Sequence, residues 1–269
     1  MPRGVNALDR AFLQGRTFAP SVLAPSLVAW WDADDLSTIA VSTGVSEFRD
    51  KSGNGRHLSQ ATGSRQPALN IGDNNGRNSI KFTRSSNQLL TLSNFITTGA
   101  TNILAIFAMI KYSTTGTLTT DEQRIIDNNG GNGIVWRDAP AAANQPFQVV
   151  RNVTALSDTS KTGDDTWKVI STSHRATSPV GDTIFVNGTQ KATNSVSTLT
   201  LNADFGVGAR PSAPTTNNFN GSLSELIIVT DTSAYTRWRI EGYLAWKYGT
   251  VGTLDAANPF LSRPPMIGD

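Results

Sequence analysis

The chain has 269 residues, 38% of them hydrophobic and 16% charged. That is enough to bury one sizeable core, with Ser, Thr, Asn and Gly left to cover much of the surface. Its 23 basic and 21 acidic residues are scattered and leave a net charge of +2, while cysteine is absent and His57 and His174 are the only histidines. A phosphate-tracking nucleic-acid binder, a disulfide framework, a thiolate metal site and a histidine-rich metal cage are thereby excluded.

Residues 1–25 read as an arm. Val5, Leu8 and Phe12 fall at helical spacing, Asn6 is placed to cap, Gly15 to stop the turn, and Pro20 and Pro25 keep the rest extended. The arm is too short to build a core, so Val5, Leu8, Phe12 and Leu13 are expected to anchor it on its own domain or on a partner. The first residues lack a continuous apolar stretch, so no export signal is expected. From Ser26 the pattern becomes short β-type runs punctuated by Gly, Asn and Asp. Leu27 to Trp31 is the first run. Ser79 to Phe82 and Gln88 to Leu92 suggest a pair joined through Ser85 to Asn87. Asn102 to Tyr112 is the longest and most apolar run, which predicts a central strand buried on both faces and is too short to cross a membrane. Arg124 to Ile126, Gly133 to Arg137 and Pro146 to Arg151 follow. Trp167 to His174 alternates as a strand with one wet face. Thr183 to Val186 and Thr189 to Ala192 flank Asn187-Gly188, whose two positive φ angles predict a type I′ hairpin. Phe205 to Ala209 and Ser222 to Thr230 complete about a dozen strands. The period then lengthens, and Thr236 to Tyr248 predicts one helix stopped by Gly249. The organisation expected is an arm at 1–25, a β domain at 26–254 and an extended, proline-bearing surface tail at 255–269.

Several motifs recur in one order. They are Leu27-Val28-Ala29-Trp30-Trp31-Asp32, the turn Asp50-Lys51-Ser52-Gly53-Asn54-Gly55-Arg56, Ile184-Phe185-Val186-Asn187-Gly188, Phe219-Asn220-Gly221-Ser222-Leu223, and Arg239 to Gly249. In this the chain resembles the laminin-G-like members of the concanavalin A-like lectin/glucanase superfamily, in the version found in phage and bacterial structural proteins. The resemblance spans roughly Leu27 to Pro265 and implies an all-β, two-sheet antiparallel jelly-roll sandwich with one C-terminal helix. That fold hosts lectins, glycosidases, adhesion modules and virion parts, so function has to be argued at the site.

A glycosidase needs two carboxylates facing across a bond. The only glutamates are Glu47, Glu122, Glu225 and Glu241, and no E-x-D-x-E run occurs. Glu225 reads as a structural carboxylate. Asp164-Asp165-Thr166-Trp167 departs from a sialidase Asp-box, no G-x-S-x-G elbow supports a triad, and His57 reads as a backbone or solvent contact. No catalytic residue is expected. The expected cofactor is none, with Ca2+ the alternative at Asp32, Asp34 and Asp35 or at Asp50 to Asn54, where Asx-turn capping explains the same residues without metal. Trp30 and Trp31 point to opposite faces, Trp238 and Trp246 are expected to glue the helix to the sheet, and Trp136, beside Asn132 and Arg137, is the ring expected to be exposed for a ligand. The chain is expected to be a non-enzymatic phage virion component, a capsid decoration or tail-associated protein attached to other virion proteins through its arm and homo-oligomeric. The alternative is a carbohydrate-binding adhesion module that takes a surface glycan on the loops around 128–138 or on the wet sheet face. Neither reading calls for a nucleic acid or a membrane.

Overall fold

The computed structural model describes residues 17–93, 95, 103–113, 123–128, 135–138, 147–151, 154–158, 165–175, 181–195 and 204–269. Two antiparallel sheets face each other, with strands numbered in chain order. The first sheet runs β15 (Thr189–Thr193), β14 (Gly181–Val186), β13 (Trp167–Arg175), β8 (Ile103–Tyr112), β17 (Gly221–Val229), β6 (Arg77–Phe82) and β5 (Ala68–Asn74). In it β17 is shared: its start pairs with β6 and its end with β1 (Leu27–Asp32). The second sheet runs β12 (Thr154–Ser157), β11 (Phe147–Arg151), β10 (Val135–Asp138), β9 (Arg124–Asp127), β16 (Phe205–Val207), β7 (Leu90–Leu92), β4 (Leu58–Ser59), β3 (Val45–Phe48) and β2 (Ile39–Val41). This is a two-sheet antiparallel jelly-roll sandwich with, among the described residues, one long helix, α1 (Ala234–Lys247), near the C-terminus.

The period-two alternation of β8 divides the molecule. Leu104, Ile106, Ala108 and Ile110 enter the core between the sheets, where they meet Trp31, Trp136, Phe147 and Phe205. Ala105, Phe107 and Met109 point the other way, into a second apolar cluster beneath α1. Burial on both sides is why this run carries no polar residue before Lys111. α1 closes that second cluster with Ile240, Leu244, Ala245 and Tyr248. Ser233 caps its start by accepting from Thr236 N at 3.2 Å, and Gly249, at φ 70°, provides the left-handed turn after its end. The predicted hairpin is present, with Asn187 at φ 50° and Gly188 at φ 82°.

Several expectations are corrected. Ser79 to Phe82 and Gln88 to Leu92 are not partners: β6 lies in the first sheet and β7 in the second, so the polar turn between them crosses from one layer to the other. The strands β2, β3, β4, β5 and β12 have no counterpart in the sequence reading, because segments of two to seven residues gain stability only from neighbours brought by the fold. Where one wet face was expected, both faces of β13 are largely buried, Val169 and Ser171 beneath α1 and Ile170, Thr172 and His174 between the sheets. Of the segment read as an arm, the described residues 17–25 lie on the domain: Phe18 and Leu23 are buried in the cluster under α1, and Thr17 bridges Met266. The tail is not simply extended, because residues 255–269 form turns and Phe260 is buried against Gly242 of the helix. Val5, Leu8, Phe12 and Leu13 lie outside the described residues.

Candidate functional site

The turn at Asp50 to Arg56, the most specific motif of the sequence, serves an edge. β1 pairs with β17 on one side and, among the described residues, has no strand on the other, and a bare edge leaves backbone groups open to mispairing. The turn covers it. Asp50 Oδ1 accepts from the N–H groups of Trp30 (2.9 Å) and Ser52 (2.8 Å), and its Oδ2 accepts from Ser52 Oγ and Arg56 N. Lys51 N donates to the Trp30 carbonyl, Asn54 Nδ2 to those of Leu27 and Val28, and Arg56 Nη1 to that of Val28. His57 Nδ1 accepts from Asp50 N, the backbone contact expected of it. Asp50 and Asn54 are thus occupied as caps. In the acidic cluster Asp32 pairs with Lys51 and Lys247, Asp34 with Arg77, and Asp35 with Lys51. No group of three or more metal-ligating side chains forms among the described residues.

Trp136 corrects a second expectation. It is 0% exposed and stacks edge-on against Phe147 at 5.2 Å, because the alternation of β10 turns it into the core. Its Nε1 donates to Thr172 Oγ1, which bonds His174 Nε2 at 3.0 Å, while His174 Nδ1 bonds Asp182 Oδ1 at 2.7 Å. Hydroxyl, imidazole and carboxylate are laid out as in a triad, yet Thr172, His174 and Asp182 are all buried between the sheets. The chain of bonds ties one layer to the other. Arg137, half-buried, donates to Gln148 Oε1 at 3.0 Å, and Asn132 lies outside the described residues. The three residues therefore do not form an exposed aromatic site.

A concave site lies on the outer face of the first sheet, where β13, β14 and β15 run out from under the start of α1. It is a groove of about 390 Å³. Antiparallel register builds its floor in two rungs: Ser173 opposite Thr183 opposite Thr193, and Ser171 opposite Phe185 opposite Gln190. The hydroxyls of Thr183 and Thr193 are 3.4 Å apart. Arg175 and Arg237 stand in its wall with Thr232 and Ala234. Arg175 Nη2 donates to the Thr232 carbonyl at 3.0 Å. Arg237 lies over the Phe185 ring at 4.0 Å, and its Nη1 donates to Glu241 Oε2 (2.8 Å) and to the Gly188 carbonyl (3.2 Å). Glu241, fully buried behind the wall, also accepts from Ser171 Oγ at 2.6 Å. Burial pushes its carboxyl up to about 7, with Arg237 and Ser171 opposing the rise and Asp255 adding to it. Among the described residues no carboxylate lines the groove, so it offers hydrogen-bond donors and hydroxyls without a pair of acids. Sequence reasoning missed these residues individually; the one signal was the reading of Trp167 to His174 as a strand with one wet face, the alternative place for a glycan.

No family model matches the chain, and no curated protein matches it. Solved structures do. The receptor-binding domain of botulinum neurotoxin mosaic serotype C/D, solved with tetraethylene glycol on its Hcn sub-domain, superposes with a TM-score of 0.57 at 14% identity, covering 81% of this chain and 51% of that one. The binding domain of Paraclostridial Mosquitocidal Protein 1 gives 0.56 at 14%, covering 82% and 52%. The ligand-binding domain of botulinum neurotoxin serotype D in complex with N-acetylneuraminic acid gives 0.54 at 14%, covering 87% and 53%. The chain spans about half the length of these structures, and at such identity what it shares with them is the sandwich fold of receptor-binding domains.

Proposed function

We propose that this chain is a non-enzymatic carbohydrate-binding module whose groove on the outer sheet face holds an oligosaccharide. The observation that carries the reading is the groove's lining: Ser173, Thr183, Thr193 and Gln190 present hydroxyl and amide groups on rigid strands, with guanidinium donors beside them and no carboxylate among the described lining residues. Such a surface matches a sugar's ring of hydroxyls and lacks the acid pair that would cleave it. Support comes from the fold shared with receptor-binding domains, one of them solved with a sialic acid. A glycan array followed by calorimetric titration tests this: selective micromolar to millimolar binding is expected, weakened at least about tenfold by Gln190→Ala combined with Thr183→Ala. No selective hit on the array would overturn it.

In this proposal the leading arm is the tether that fixes the module to an assembled phage particle. The described residues begin at Thr17, which bridges Met266, and Phe18 packs against Tyr243 at 5.9 Å, beside α1. Deleting Met1 to Arg16 is expected to preserve the folded domain and abolish incorporation into particles; undiminished incorporation would reject the tether.

A further inference from the structure

We propose that the groove's ligand carries an anionic group, a carboxylate or a sulfate ester on the sugar, held between Arg175 and Arg237; this rests on the glycan reading above. Two guanidiniums line one small cavity while no described lining residue is acidic. Neither arginine is used up by its fold contacts. Arg237 spends Nη1 on Glu241 and Gly188, and Arg175 spends Nη2 on Thr232, so each keeps its Nε and its other terminal nitrogen without a hydrogen-bond partner among the described residues. Those are the donors of the planar fork that pairs with carboxylate or sulfate oxygens. Arg237 is held over the Phe185 ring at 4.0 Å, so little conformational freedom is lost when an anion docks.

Two carboxylates lie near the groove without lining it, and each faces one of its arginines: Glu241 pairs with Arg237, and the charge of Arg175 helps hold Asp231 as a carboxylate. Glu241 is behind the wall with its two oxygens on Arg237 and Ser171, and Asp231 accepts from Ser233 N and from Thr236, which holds its carboxyl below the usual range against the opposing effect of burial. Ala234, the first residue of α1, also lines the cavity, and no acidic residue occupies the helix's first turn, so the positive end of the helix dipole adds to the same field. The hydroxyl rungs of Ser173, Thr183 and Thr193 then lie where the remainder of the sugar is hydrogen-bonded.

The experiment titrates the full-length chain with a neutral trisaccharide and with its sialylated and sulfated forms, for wild type, Arg175→Gln, Arg237→Gln and Arg237→Lys, with unfolding curves run on each. At least one acidic form is expected to bind about tenfold or more tighter than the neutral one, with the preference lost in Arg175→Gln and Arg237→Gln and weakened by salt. Arg237→Lys keeps the charge beside Glu241 and reports on the planar fork if the glutamine variant fails to fold. Equal binding of neutral and acidic sugars, or an acidic preference untouched by the arginine variants, overturns the charge inference while leaving the glycan reading in place. Binding of no sugar, neutral or acidic, overturns both.

Discussion

α1 ends on two buried carboxylates that are chemically alike and structurally opposite. At its C-terminal end Lys247 Nζ reaches Glu225 Oε2 (2.7 Å) and Asp32 Oδ1 (2.6 Å). Trp30 Nε1 and the hydroxyls of Tyr243 and Tyr248 donate to the same Glu225, closing every side of it. Toward its N-terminal end Arg237 holds Glu241 in a similar bond, but the arginine opens onto the groove. Burial raises the carboxyl of Glu225, with Lys247 opposing and Asp32 adding, and burial raises that of Glu241. For Lys247 burial works against the charge, and the two carboxylates outweigh it, so its ammonium is held above its ordinary value. A buried ion pair is weak evidence for function in itself. What separates the two ends is access: one pair is sealed and anchors the helix to the sheet, whereas the other positions a guanidinium at the surface of a cavity.

The largest effect is expected at the sealed end. Lys247→Met leaves Glu225 and Asp32 facing each other across β1 and β17 without their shared cation, since the two are register partners. Removing one partner of a buried pair costs about 3 to 5 kcal/mol. Urea unfolding measures it, and a loss below about 1 kcal/mol would show that the cluster relaxes into water and is not sealed. Somewhat less, about 3 kcal/mol, is expected from Phe18→Ala, because Phe18 is a buried member of the cluster beneath the helix, edge-on to Tyr243 and covered by Arg239. An unchanged denaturation midpoint would place the segment at 17–23 outside the cooperative unit.

Glu241 separates the two ends by pH. Its folded carboxyl titrates at about 7 against an ordinary 4.5. Between those values the folded chain holds a proton that the unfolded chain has released, so this group's contribution is fully present below 4.5 and is lost as pH rises through 7. The total is on the order of 3 kcal/mol. Glu225 acts in the same direction, whereas Asp35, Asp73, Asp231 and Asp255 are lowered and act oppositely, favouring the fold above the usual carboxylate range. Glu241→Gln is therefore expected to lose less stability than wild type between pH 5 and pH 8. Parallel losses in melting curves at the two pH values would show that Glu241 stays ionised throughout.

The sequence made one end of this comparison far more legible than the other. The doubly buried run at Ile103 to Ile110, the Asn187-Gly188 hairpin and the helix ending at Gly249 each follow from a local period or a single conformational demand, and each is present. The motif at Asp50 to Arg56 was visible as a turn, although its task of covering β1 was not, because that edge exists only once β17 is in place. Two-residue β4 and the split of β6 and β7 between layers depend on partners distant in sequence. Trp136 was misplaced for a similar reason: polar neighbours in sequence say nothing about which face of a four-residue strand meets the core. The groove left almost no local trace, since three strands and a helix start each lend it a few residues.

The smallest stability effect is expected where binding is expected to be most sensitive. Thr183 sits on the open rung, and its hydroxyl contact with Thr193 is exposed. Thr183→Ala deletes no core volume and strands no buried partner, so stability should change by less than about 0.5 kcal/mol. If the groove holds a glycan, the same substitution removes a hydroxyl from its floor and weakens sugar binding measurably, while deletion of the hydroxyl at sealed Ser224, buried and accepting from Asn74 Nδ2 at 3.1 Å, destabilises the fold and leaves the groove intact. Unfolding and titration run on Thr183→Ala and Ser224→Ala thus dissociate the two roles. A groove variant that unfolds as readily as the sealed one would mean that β14 and β15 are held by the rung itself, and the open end would then be structural as well.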